Sequence, residues 1–261
     1  MMVGGSTTWG SGASSDSATI PAFLEKKFHS NNHNKVEVIN AGVSAANSIE
    51  ESYKIRQIYK QFQPDLFIIY DGWNDSFGKI QEGNLDVEKS RQELKKQKKN
   101  IIQITISEYL TIYRTPYVLY PLLSHTYIAS SMNDNILQKN SEIWSSRWNE
   151  ICTENSMDKI ETIILLQPIV GTGNKILSDD EKHHSNYIKQ VKSRQQLDYF
   201  ANQLPISSCT ASIDLRNVFD DITIPIYFDG GHTTDIGNEI VAKKIYEDII
   251  PIIMNNKQKS E

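Results

Sequence analysis

The residues of this chain best suited to chemistry are a serine in a glycine-flanked turn, a histidine with an aspartate three positions before it, and an asparagine beside a tryptophan. They are Ser6 in Gly4-Gly5-Ser6-Thr7, Asp229 and His232 in Asp229-Gly230-Gly231-His232, and Asn74 in Gly72-Trp73-Asn74-Asp75. Acyl transfer needs a nucleophilic oxygen, a base to take its proton, a carboxylate to orient that base, and donors for the developing oxyanion. Ser6 offers the oxygen, uncrowded at the start of a helix whose backbone N–H groups would face negative charge. His232 offers the base and Asp229 its orienting carboxylate. The Ser6 and Gly42 backbone N–H groups and the Asn74 side-chain amide would be the donors. Each also has a plainer reading. Ser6 can be only a helix cap, His232 a capping or surface histidine, Asn74 a turn residue and Gly42 the end of a strand. Trp73 reads as packing as readily as pocket, Gln167 more as a structural residue than as pocket lining, and Asp75 as a brace for its loop.

These residues need a frame that brings the two ends of the chain together. Asp65-Leu66-Phe67-Ile68-Ile69-Tyr70 and Thr162-Ile163-Ile164-Leu165-Leu166 are continuous apolar runs, the pattern of strands buried on both faces. Lys35-Val36-Glu37-Val38-Ile39-Asn40 and Ala211-Ser212-Ile213-Asp214-Leu215 read as further strands. Only Met1, Met2 and Val3 precede the Gly4-Gly5-Ser6 turn, so the first strand is a stub unless the sequence begins further upstream. Helices are expected between the strands. Thr19 caps one, with Pro21 in its first turn. Ser48 and Glu51 have capping-box spacing for a second, with Tyr53, Ile55, Ile58, Tyr59 and Phe62 as its apolar face. Asp179-Asp180-Glu181 opens a long polar helix toward Leu204, and a last helix runs from about Thr234 through Ile249. Strands alternating with helices predict a parallel sheet covered on both faces. Ser6, Gly42 and Asn74 then follow the carboxyl ends of three strands, where open α/β sheets gather their reactive groups.

From about 78 to 155 the alternation stops. A basic run (Lys95-Lys96-Gln97-Lys98-Lys99), an aromatic and aliphatic segment from Ile101 to Tyr127, and Trp144 and Trp148 predict a helical insertion packed on the core, or else a lid or membrane-facing flap.

Taken together, Gly4-Gly5-Ser6, Gly42, Gly72-Trp73-Asn74-Asp75 and Asp229-Gly230-Gly231-His232 resemble, in order, the four motif blocks of the SGNH/GDSL hydrolase superfamily. Any one block is weak, but four in order span nearly the whole chain. The first block departs from the usual Gly-Asp-Ser, having Gly5 in place of the acid, a form many relatives share. The resemblance implies an α/β fold, a flavodoxin-like three-layer α/β/α sandwich with a central parallel sheet, built as a single domain over 1–261 with the helical insertion. It also implies a serine-dependent ester hydrolase needing no cofactor, with Ser6, Asp229 and His232 as its catalytic residues. Carbohydrate deacetylases, lipases and thioesterases all fall within the family. The expected partner is therefore a small-molecule, glycan or lipid ester. An O-acyltransferase using the same serine, and an inactive binding domain of the same fold, are the alternatives.

Other chemistries fit less well. A net charge of −5 argues against a nucleic-acid partner. The Gly-x-Ser-x-Gly elbow fails at Thr8, and the glycines near Ser6 lack the lysine of a phosphate-binding loop. The pairs His183-His184 and His29 with His33 have no acids or cysteines arranged beside them for a metal. Cys152 and Cys209, far apart and in no paired spacing, read as separate buried or idle thiols. Neither a membrane span nor a signal peptide is visible, so the chain as written is expected in the cytoplasm, provided nothing precedes Met1.

Overall fold

In the computed structural model, which describes residues 1–85, 132–190 and 192–260, five strands form one parallel sheet. They are β1 (Met2–Gly4), β2 (Asn40–Gly42), β3 (Leu66–Asp71), β4 (Glu161–Leu166) and β5 (Ala211–Asp214). Their order across the sheet is β2-β1-β3-β4-β5, with every pairing parallel. This is the flavodoxin-like doubly wound order, whose direction of winding reverses between β1 and β3. The three-residue β1 is paired on both sides, Met2 to Gly4 lying against Asn40–Gly42 and Ile68–Tyr70. Met2 and Val3 are buried.

The apolar runs form the central strands as expected. Phe67, Ile68, Ile69 and Tyr70 of β3 and Ile163 to Leu166 of β4 are buried, and they lie in register from Leu66 against Glu161 to Asp71 against Leu166. The expected strand at 35–40 shrinks to the edge strand β2. Val36 and Val38 satisfy their backbone with side chains instead: His29 Nε2 bonds the Val36 carbonyl at 2.8 Å, and the Val38 N–H donates to Glu25 at 2.7 Å. Both partners belong to α2 (Ile20–Ser30), so the helix takes the place of a ladder.

Helices cover both faces. α2 and the last helix, α7 (Asp235–Ser260), pack together on one side, where Phe28 meets Tyr246 edge-on. α3 (Ser48–Gln57), α4 (Asp134–Met157) and α6 (Ser193–Gln203) pack on the other. α1 (Ser6–Trp9) is a single turn leaving β1. The polar helix expected over 179–204 is two helices, α5 (Asp179–Gln190) and α6, because Lys192 takes a left-handed backbone (φ 58°) between them. Thr19 caps α2 as expected, accepting from the Ala22 N–H.

The capping box of α3 is displaced by one residue. Asn47 is the cap and Glu50 its reciprocal partner, while Ser48 and Glu51 turn inward and are buried. Burial and the nearby Asp71 and Asp75 carboxylates push the Glu51 carboxyl well above the usual carboxylic-acid range, and among the described residues neither of its oxygens has a hydrogen-bond partner. Ile58 and Phe62, expected on the apolar face of this helix, lie beyond its end and are exposed.

Within the 78–155 stretch, α4 turns Trp144, Trp148, Ile151 and Cys152 into the core. The basic run and the Ile101–Tyr127 segment lie outside the described residues. Cys152 is not an idle thiol. It forms a disulfide with Cys209, pinning α4 to the segment that leads into β5. The two cysteines are 57 positions apart in sequence, so spacing carried no signal of the pairing. None of the described helices is long and apolar enough to cross a membrane.

Two stability predictions follow from these contacts. Breaking the Cys152–Cys209 bond, by reduction or as Cys152→Ser with Cys209→Ser, is expected to destabilise the protein by up to about 4 kcal/mol, the chain-entropy value for a loop of this length. Denaturant midpoints measure that loss, and two thiols titrating in the unreduced, unfolded protein would contradict the pairing. The second concerns Glu51. A carboxyl whose folded pKa is raised binds its proton more tightly when folded, so it costs stability as pH rises from its unfolded pKa, near 4, toward the raised folded value. Glu51→Gln should therefore raise the melting temperature at pH 7–8 and give little or no gain near pH 4. A gain independent of pH would contradict this assignment.

Candidate active site

Ser6 is the first residue after the β1 turn, and its side chain is nearly buried. The segment from Tyr227 to Thr233 reverses on itself. A bridge between those two residues and bonds from the Phe228 N–H to the His232 carbonyl (3.2 Å) and from the Thr234 N–H to the Ile226 carbonyl (2.8 Å) close it. Its return limb carries His232 to Ser6. The Ser6 Oγ to His232 Nε2 distance is 2.7 Å, and His232 Nδ1 lies 2.6 Å from Asp229 Oδ2. A carboxylate only accepts, so Nδ1 carries the ring proton and Nε2 is left as acceptor for the serine hydroxyl. Burial favours the neutral form of Asp229. The bonds it accepts from the His232 ring and from the Gly231 and His232 amides outweigh that and hold its pKa below the usual range.

The ring itself is gripped. Phe228 stacks on it at 5.5 Å between centroids, and Trp73 meets it edge-on at 4.7 Å. Gly231 passes so close to Trp73 that a β-carbon there would lie 2.3 Å from the indole. Trp73, expected to be either packing or pocket, is the wall against which the histidine loop rests.

A residue that sequence reasoning passed over anchors the base of this loop. Glu181, fully buried, accepts the Ile226 and Tyr227 N–H groups at 2.8 and 3.1 Å through one oxygen. Its other oxygen takes Lys175 Nζ and the Ser178 N–H. In the sequence it is the third of three consecutive acids opening a helix, and nothing separates it from the two before it.

The expected oxyanion donors are placed unequally. Among the described residues the Ser6 N–H has no hydrogen-bond partner. Asn74 Nδ2 donates to the Ala46 carbonyl at 2.6 Å, and a β-carbon on Gly5 would lie 2.4 Å from that nitrogen, so the amide sits directly against the backbone preceding Ser6. The Gly42 N–H, expected to face Ser6, donates instead to Asn40 Oδ1 at 3.0 Å. Glycine is required there for another reason: a β-carbon would lie 2.1 Å from the Trp9 nitrogen, inside the turn of α1. Gln167 is buried at the end of β4, 3.4 Å from the Thr7 hydroxyl, which makes it a support for α1.

Behind Asn74 lies a buried polar cluster. Asp75 accepts the Ser48 N–H at 2.7 Å and the Ser48 hydroxyl at 2.6 Å. Arg147 of α4 donates to the same hydroxyl at 2.6 Å and to the carbonyls of Gln81 and Gly83. Asp71, at the end of β3, accepts both indole N–H groups of Trp144 and Trp148, at 2.8 and 3.1 Å. Burial raises the pKa values of Asp71 and Asp75, with their mutual repulsion adding to the rise at Asp75.

The chain is similar to known proteins over nearly its whole length. The family model of the GDSL-like lipases/acylhydrolases matches residues 1–245. No curated protein sequence matches the chain. Among solved structures, the acetyl xylan esterase AlAXEase is similar at a TM-score of 0.55 and 12% identity, covering 96% of this chain and all of that one. Axe2, an acetylxylan esterase from Geobacillus stearothermophilus, is similar at 0.54 and 12%, over 95% of this chain and 92% of its own. A two-domain esterase active on acetylated mannans is similar at 0.51 and 12%, over 96% of this chain and 48% of its own. At such identities these structures speak for the fold. The match of the family model over nearly the whole chain speaks for descent: the chain belongs to the GDSL-like lipase/acylhydrolase family and is an ester hydrolase.

Proposed function

We propose that the protein cleaves short-chain carboxylic esters through an acyl-enzyme on Ser6. The observation that carries this reading is the chain of two short hydrogen bonds, Ser6 Oγ to His232 Nε2 and His232 Nδ1 to Asp229 Oδ2. His232 takes the hydroxyl proton as Ser6 Oγ attacks the acyl carbonyl, and Asp229 holds the ring in the tautomer that leaves Nε2 free. The oxyanion is met by the Ser6 N–H and the second N–H of Asn74 Nδ2. Gly42 could join them only by giving up its bond to Asn40. His232 then passes its proton to the leaving alcohol, and a water activated by the same ring releases the acid.

The surroundings favour a small acyl group on a carbohydrate. A cavity of about 220 Å³ beside Asn74 is lined largely by polar residues, Asn47, Asp75, Lys79 and Gln81 among them, a poor host for a long acyl chain. Trp9, three residues after Ser6, and Phe228, stacked on His232, are exposed aromatic faces of the kind that lie against sugar rings. Several similar structures carry the names of acetylxylan or acetylmannan esterases. The Cys152–Cys209 disulfide favours an oxidising compartment over the cytoplasm, where structural disulfides are rare.

Ser6→Ala and His232→Ala should each lower kcat on p-nitrophenyl acetate by at least about 10³-fold with the melting temperature nearly unchanged. Asn74→Ala should cost about 10²–10³-fold, chiefly in kcat. Wild-type activity in Ser6→Ala would end the mechanism. Acetylated xylo- or manno-oligosaccharides should be deacetylated far faster than p-nitrophenyl palmitate is hydrolysed, and the reverse order would overturn the substrate class.

A further inference from the structure

Asn74 has two amide N–H groups and spends one on the Ala46 carbonyl, at 2.6 Å. That bond sets the plane of the amide, and so decides where the second N–H points. Its direction therefore depends on the position of the loop that carries Ala46. This loop is not a relaxed one. Ala45 stands at φ 60°, in the left-handed region that an L-residue other than glycine occupies only at an energetic cost. Such a conformation persists where its surroundings hold it.

The restraint is on Ser48. Both its N–H and its hydroxyl go to Asp75, the residue next to Asn74, and the hydroxyl oxygen also accepts from Arg147. Neighbouring residues of one loop thus grip neighbouring positions of the other: Asn74 holds Ala46, and Asp75 holds Ser48. Ser48, Asp75 and Arg147 are all at most 5% exposed, so water has little access to replace a lost partner. Arg147 comes from α4 and is itself tied to the carbonyls of Gln81 and Gly83, which links the insertion helix to the grip. Asp71 lies close enough to act on Asp75 electrostatically and is itself fixed by two tryptophans.

We propose that Asp75 is a positioning residue for catalysis, holding the 45–48 loop through Ser48, with Arg147 as brace, so that the Asn74 amide faces the reacting oxygen. The proposal rests on Asn74 being an oxyanion donor, as argued above. A residue that only stabilised the fold would affect the enzyme equally whether or not Asn74 carried its amide. A residue that acts through Asn74 would not.

The test is a double-mutant cycle on kcat for p-nitrophenyl acetate, with melting temperatures confirming that each variant is folded. Asp75→Asn keeps the size and removes the charge. It is expected to lower kcat about 10–100-fold in the wild-type background with KM within about 3-fold, and less than about 3-fold in Asn74→Ala. If Asp75→Asn does not fold, Ser48→Ala, which leaves the backbone bond to Asp75, takes its place, with about a 10-fold loss expected in the wild type alone. An equal loss of kcat in both backgrounds, or a loss confined to KM, overturns the positioning role and leaves the Asn74 assignment standing. Unchanged kcat in Asn74→Ala itself overturns the donor assignment, and the positioning role with it.

Discussion

The hydrogen bond between Ser6 and His232 joins residues 226 positions apart, and the rest of the fold is arranged so that it can form. Ser6 leaves β1 at the point where the sheet reverses its direction of winding. Asn74 leaves β3, the next strand in the sheet, and the histidine loop crosses toward both. Parallel pairing aligns the carboxyl ends of these strands, which is why three loops distant in sequence meet at one edge. The short β1 has a parallel neighbour on each side.

Positioning then falls to buried polar groups on either side of that bond. Glu181 closes the base of the histidine loop with two backbone bonds, and Trp73 and Phe228 confine the ring. On the opposite side Asp75, Ser48 and Arg147 clamp the loop beside Asn74. Burying charged groups is unfavourable unless each finds partners. These have them, with Lys175 facing Glu181 and Arg147 set among Ser48 and two carbonyls. Glu51 does not, and it lies in the same cluster, which is why the proton it keeps is expected to show in the pH dependence of stability.

The sequence made some of this legible, and for physical reasons. Continuous apolar runs marked β3 and β4 because strands covered on both faces leave no room for alternation. Ser6, Asp229, His232 and Asn74 stood out because few chemistries need those side chains after successive strands. Where the reading failed, a residue had two uses that look the same in one dimension. Ser48 and Glu51 fit a capping box, yet Asn47 and Glu50 form it and the first pair turns inward. Val36 and Val38 alternate like a strand, but side chains of α2 take their backbone bonds. The Cys152–Cys209 pairing and the role of Glu181 are long-range facts, and local spacing carries no record of either.

The central claim is that Ser6 Oγ is the atom acylated during turnover. A fluorophosphonate probe, which phosphonylates an activated serine, tests it most directly when the adduct is located by peptide mass spectrometry. The account predicts stoichiometric labelling of Ser6 with matching loss of esterase activity, and no labelling in His232→Ala on the same timescale. Full inactivation with the label on another residue, or an active enzyme that takes no label at Ser6, would contradict it.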